Sequence, residues 1–268
     1  MIKVIWTFSL IIFCLLGWSG TATAGELSQR LANFPQWEQL TSVQPAEGDL
    51  VYPDWFAGSW EVTSTLVDLV APLAPDIVTP GFESNRQQLN QPVSFLVRFI
   101  PEKPPIIGLK LIPKIAKSSI LIADRAFNSL NLARAYLGDE AVLSTKVDPD
   151  SPNRQITLLR GDSEALRRNR QLISIVTARA IETTSNKNFI TSEVFQQLFK
   201  GGSRPYFNTV ESTTAYNKLS TSHPAIEADQ VTAVYLSPQD PDYFTAASRP
   251  VALYRYRLQF SPTPEEDV

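Results

Sequence analysis

The chain has 268 residues, 43% of them hydrophobic and 19% charged, with a formal net charge of −3 and a single cysteine, methionine and histidine. These are Cys14, Met1 and His223, so a chain that has lost its first 24 residues carries no thiol and one imidazole. That excludes disulfide stapling, cysteine-based zinc sites, iron–sulfur ligation and cysteine nucleophiles, and the acidic balance does not suit nucleic acid, which wants a concentrated basic face.

Residues 1–24 read as a secretory signal. Lys3 supplies a positive start, Val4 to Leu16 is apolar apart from Thr7 and Ser9, and Ala22-Thr23-Ala24 fits the A-x-A cleavage pattern, leaving Gly25 as the new N-terminus. The apolar core is shorter than the roughly 20 residues of a membrane-spanning helix. The competing reading is an uncleaved anchor. Phe13 before Cys14 does not fit a lipoprotein signal, which needs a small residue there. Cleavage removes Lys3 and no acid, which takes the formal charge from −3 to −4.

Residues 25–54 form a leader in which Leu27 to Ala32 can make one or two helical turns, stopped by Pro35 and Pro45. Residues 55–261 read mainly as strands. Trp60, Val62, Ser64 and Leu66 alternate with Glu61, Thr63 and Thr65, and Val93, Phe95, Val97 and Phe99 with Ser94, Leu96 and Arg98. Further strands are expected at 119–124, 140–147, 154–160, 171–183, 189–199, 206–219, 230–236 and 251–260. Asp148 to Asn153 and Ser185 to Asn188 are turn signals. One short helix is expected at Ala126 to Leu137, with Phe127, Leu130 and Arg134 on one face and Gly138 just past its end. Two proline-rich excursions interrupt the series, Leu69 to Pro92 and Pro101 to Lys117. Residues 262–268 read as a frayed acidic tail. Consecutive antiparallel strands of this kind imply an all-β, up-and-down barrel of eight to ten strands.

Gly58-Ser59-Trp60 opens the first long strand, and this G-x-W resembles the signature of the lipocalins and the wider calycin superfamily. The resemblance implies that Trp60 closes one end of the barrel beneath a basic residue of the last strand, where Arg255 and Arg257 are the candidates; a guanidinium over an indole is worth about 0.5–2 kcal/mol. The longer block from Tyr52-Pro53-Asp54-Trp55-Phe56 through Gly58 to Val62, and on to Val78-Thr79-Pro80-Gly81-Phe82, resembles an uncharacterised family of cyanobacterial and chloroplast proteins. That resemblance implies a periplasmic or thylakoid-lumen location but supplies neither an activity nor catalytic residues. The opening is also similar to bilin lyases of calycin fold, whose cytosolic setting the signal segment argues against.

The chemistry in the sequence is sparse. His223 lies in a polar turn, Ser220 to Pro224, without a G-x-S-x-G elbow, and reads as an exposed loop residue. Asp148/Asp150 and Asp240/Asp242 read as turn pairs rather than metal ligands. Arg167, Arg168 and Arg170 form a basic cluster that could meet an anionic partner or stay solvated. Lys110, Lys114 and Lys117 punctuate an apolar stretch that could touch a membrane or simply snorkel to water. The apolar Leu69 to Arg86 excursion follows the first strand, where calycins carry a loop over the barrel mouth. It could cover an apolar cavity or plug it. Under the first alternative Trp60, Val62, Leu66, Phe82 and Tyr254 contact the ligand and Arg86 and Arg98 its polar head; Glu83 and Arg86 could instead pair with each other. No cofactor or metal is expected. The leading expectation is an exported binder of a lipid, pigment or pigment fragment. The others are an accessory protein that docks on a photosynthetic membrane complex, and an isomerase or hydrolase acting on a lipophilic substrate.

Overall fold

Alternation sets the architecture. The structure, a computed structural model, describes residues 25–41, 43–79, 81–102, 120–161, 169–202 and 204–264. The signal segment, Pro80, the three lysines of the second excursion, Arg167 and Arg168 lie outside these residues. Ten strands of three or more residues appear among them: β3 (Gly58–Val70), β4 (Pro92–Pro101), β5 (Leu121–Ala123), β6 (Val142–Asp148), β7 (Ser151–Leu159), β8 (Arg170–Ser185), β9 (Asn188–Lys200), β10 (Tyr206–Lys218), β11 (Ile226–Tyr235) and β12 (Ala252–Pro262). Two short pieces of the leader, β1 (Gln44–Pro45) and β2 (Val51–Tyr52), complete the set.

The strands make one curled antiparallel sheet in the order β2-β5-β4-β3-β12-β11-β10-β9-β8-β7-β6. The meander expected from residue 140 onward is present, joined by tight turns at 149–150 and 186–187. β8 serves two partners on one side: β7 along Arg170–Ile175 and β1 along Ala178–Arg179. Among the described residues no ladder joins β6 back to β2, so the sheet is a half-barrel whose open side is filled by a helix.

That helix, α3 (Arg125–Leu137), follows α1 (Glu26–Ala32) and the short α2 (Phe82–Arg86); a further turn, α4 (Tyr243–Ala246), precedes β12. Asp124 caps α3, its carboxylate accepting from the Phe127 amide. The helix bridges distant strands. Asn128 bonds the Arg98 amide and carbonyl on β4, Ser129 bonds Gln155 on β7, and Tyr136 bonds Ser64 on β3.

Each face of the sheet carries an apolar cluster. The concave face gathers Trp60, Val62, Phe99, Phe189, Ile226, Leu258 and Phe260 around Phe56. Phe56 sits in a 3-10 turn, Asp54–Phe56, and touches Tyr52, Trp55, Phe99, Phe189, Tyr216 and Phe260. The chain then enters β3 through Gly58, whose φ of 102° favours glycine. The leader folds over the convex face, where Leu27, Leu31 and Trp37 pack on Ile190, Val231, Ala233 and Leu253. Beneath it Glu211, 0% exposed, pairs with Arg30 at 2.8 Å and accepts from Tyr235 and Thr41. Leu27, Leu31 and Trp37 thus hold the leader against the sheet.

Candidate functional site

Inward-facing residues of β3, β4, β11 and β12 meet α3 around a cavity of about 420 Å³. Its walls include Val62, Phe95, Val97, Phe99, Leu132, Tyr256 and Leu258. A second cavity, about 620 Å³, continues toward β7–β10 and shares Tyr52, Asn128, Leu132, Tyr136, Gln230 and Thr232 with the first. Small-molecule sites span about 300–1,000 Å³ and are mostly apolar with a few placed polar groups. This interior has that character. The polar groups of the first cavity are hydroxyls and amides, and Gln230 donates to Ser212 and Thr232.

Tyr52, Tyr216 and Tyr256 face this space, and burial raises the phenol pKa of each. For Tyr52 the nearby Tyr216 and Glu193 push the same way. All three remain neutral phenols at physiological pH. They offer hydrogen bonds rather than act as bases.

The charged part of the interior lies at one end. Arg125, at the start of α3, bonds Asp49 at 2.8 Å and Glu193 at 3.2 Å. Arg179 bonds Glu193 at 2.8 Å, the Gly48 carbonyl at 3.3 Å and Asn153 at 3.0 Å. Two cations and two anions thus cancel in a buried cluster that ties leader, helix, β8 and β9 together. Burial alone would lower the Arg125 pKa, but Glu193 and Asp49 outweigh it and the net shift is upward. Nothing in the residue pattern marks these four as partners.

Of the residues expected to contact a ligand, Val62 lines the first cavity. Trp60 does not line it: the indole N–H donates to the Phe56 carbonyl at 2.7 Å, and Phe260 meets it edge-on at 6.5 Å. Leu66, Phe82 and Tyr254 form a separate cluster with Leu69. There Phe82 lies 5.9 Å from Tyr254, and Asn85 donates to the Tyr254 hydroxyl. Phe82 of the excursion therefore packs on Leu66, Leu69 and Tyr254, and Ile77 on Ala246 and Val251. Arg86 pairs with Glu83 at 2.9 Å, and Arg98 pairs with Asp124 at 2.7 Å and covers the Phe127 ring. Neither guanidinium lines the cavity.

The expected closure by Arg255 or Arg257 over Trp60 is corrected by the register. Residues directly opposite each other in a ladder share a face. Trp60 lies opposite Pro262, whereas Arg257 lies opposite Thr65, which points outward. Arg255, opposite Asp68, is bound to Asp229 at 2.6 Å and lies 5.4 Å from the Phe34 ring. A cation over an indole does occur, but it is Arg30 over Trp37 at 3.9 Å.

The remaining chemistry-bearing residues are placed as turns. His223 is exposed in the β10–β11 connection. Asp148 accepts from the Asp150 amide and pairs with Arg154, and Asp240 accepts from Ser237 and Tyr206. A third cavity, about 700 Å³, lies away from the interior beside Leu40, Phe207, Tyr235 and Tyr243. No helix among the described residues is long and apolar enough to cross a membrane.

Comparison with curated proteins and with solved structures finds no match to either. A family model described as a domain of unknown function, DUF6816, matches residues 44–264, from β1 to the end of β12. That span takes in all the strands and the whole interior cavity, and the chain belongs to the DUF6816 family.

Proposed function

We propose that this protein is an exported, calycin-like binder of a small apolar ligand, held between the concave face of the sheet and α3. The observation that supports this reading is the cavity of about 420 Å³ walled by Val62, Phe95, Val97, Phe99 and Leu258. Its tyrosine, serine and glutamine groups suit a ligand with one hydrogen-bonding end and an apolar body, such as a lipid, a pigment or a pigment fragment. The compartment would be the periplasm or the thylakoid lumen, following the A-x-A segment and the resemblance to cyanobacterial and chloroplast proteins. The test is native mass spectrometry and an absorbance spectrum of protein purified from its own host. A stoichiometric small molecule, released by organic solvent, is expected. Protein that emerges empty from that host would overturn the reading.

A second reading, docking on a photosynthetic membrane complex, draws on a different observation. Phe244 is 88% exposed beside Tyr243 at the rim of the outer cavity, where Phe207 is also exposed. Co-sedimentation with host membranes that is lost on Phe244→Ser would favour it over the binder.

A further inference from the structure

The A-x-A pattern makes Gly25 the first residue of a processed chain, and the fold gives Gly25 a specific neighbour. Glu182 reaches up from β8 on the convex side. A Cβ built on Gly25 would lie 2.2 Å from both the carboxyl carbon and Oε2 of Glu182, and 2.5 Å from Oε1. Any side chain at this position would push the carboxylate away; glycine lets it approach. The Gly25 nitrogen shares its Cα with that Cβ position and so lies within about 5 Å of the carboxylate. Oε2 accepts from the Leu27 amide at 2.9 Å and from the Ser28 amide at 3.4 Å. Oε1 is buried and has no hydrogen-bond partner among the described residues. An unmatched carboxylate oxygen removed from water is costly and calls for a donor.

We propose that Glu182 receives the α-ammonium created when the chain is cut between Ala24 and Gly25. Hydrolysis adds one water across that peptide bond and leaves a carboxylate on Ala24 and an ammonium on Gly25. One amide donor becomes three charged ones beside the unpaired oxygen. The cut thereby completes the docking of α1, whose Leu27 and Leu31 cover the convex face and whose Arg30 neutralises buried Glu211. The acceptor is a side chain of β8, fixed by a strand remote from the cut. Maturation and folding are linked at this one contact.

The inference rests on the exported-precursor reading, and two separate measurements keep the two apart. The chain is expressed with its export segment and recovered from the compartment to which it is delivered. Its intact mass is expected to correspond to a start at Gly25; a start at any other residue overturns the cut site. At pH 7 and limiting amine-acylating reagent, the α-amine of the wild-type chain is expected to label about tenfold more slowly than that of Glu182→Gln, because a pKa raised by about one unit leaves tenfold less free amine. Gly25→Ala, which displaces the carboxylate, is expected to label as fast as Glu182→Gln. Far-UV circular dichroism and melting, unchanged across all three proteins, report that each is folded. Equal α-amine rates in all three would overturn the ion pair even with the cut at Gly25.

Discussion

Replacing Glu193 by glutamine tests the buried charge cluster. Glu193 accepts from Arg179 at 2.8 Å and from Arg125 at 3.2 Å, and the side chains of Arg179 and Glu193 are 8% and 13% exposed. The substitution keeps the shape and one acceptor oxygen but removes a negative charge. Two guanidinium groups then face Asp49 alone, so the cluster goes from neutral to a net charge of +1. Breaking a buried pair by removing one partner costs about 3–5 kcal/mol, and the retained amide oxygen places this case near the lower figure. At about 2–4 °C per kcal/mol for a chain of this size, the melting temperature should fall by roughly 6–12 °C. Urea unfolding followed by circular dichroism gives the free energy directly. The double variant Glu193→Gln/Arg179→Met removes the orphaned cation and should recover at least half of the loss. A single variant within about 0.5 kcal/mol of wild type would refute the argument, since that is the scale of an ordinary surface change.

Other expectations follow from the packing and the register. Phe56 is 0% exposed and in contact with six other rings, so Phe56→Ala should cost about 3–5 kcal/mol in the same urea assay. Trp60→Ala should cost a comparable amount, whereas Arg255→Ala should cost under about 1 kcal/mol, because the Arg255–Asp229 pair is partly exposed. Equal losses for Trp60→Ala and Arg255→Ala would restore the closure contact that the register excludes. Six of the eight tyrosines have raised pKa values, with Tyr206 pushed up to about 12 by burial and by its bond to Asp240. Above pH 10 the unfolded chain releases these phenolic protons while the folded chain keeps them. Stability should therefore be full below pH 10 and fall as pH rises from 10 toward 12. Tyrosinate absorbance that rises as a single ordinary pH 10 titration, with the fold intact, would contradict the burial of these rings.

Much of the fold was legible because side chains alternate along most strands. Trp60, Val62, Ser64 and Leu66 face inward as the pattern implies, and the helix before Gly138 lies where its apolar positions put it. The charge cluster was hidden for two physical reasons. Asp49, Arg125, Arg179 and Glu193 come from four elements, and the inward direction of Arg179 depends on a register shift between Val176 and Ala178. Alternation continued from Leu172, Ser174 and Val176 would turn Arg179 outward; the extra residue reverses it. A similar shift between Arg255 and Tyr256 upsets the reckoning of what the last strand sets against β3. Glu211 misleads in another way. Its place on the convex face suggests a solvated acid, but the leader covers that face and supplies Arg30. Pieces as short as β1 and β2 carry no periodic signal and exist through the strands they join.

We propose that the interior holds an apolar molecule. Titration with the neutral fluorophore N-phenyl-1-naphthylamine, comparing wild type with Val62→Trp, tests it most directly, because Val62 lines the cavity and a larger ring there fills it. The account predicts saturable one-to-one binding to wild type and at least roughly tenfold weaker binding to a Val62→Trp variant of unchanged circular dichroism, a loss of about 1.4 kcal/mol. No saturable binding to wild type, or equal affinity in the two proteins, would contradict it.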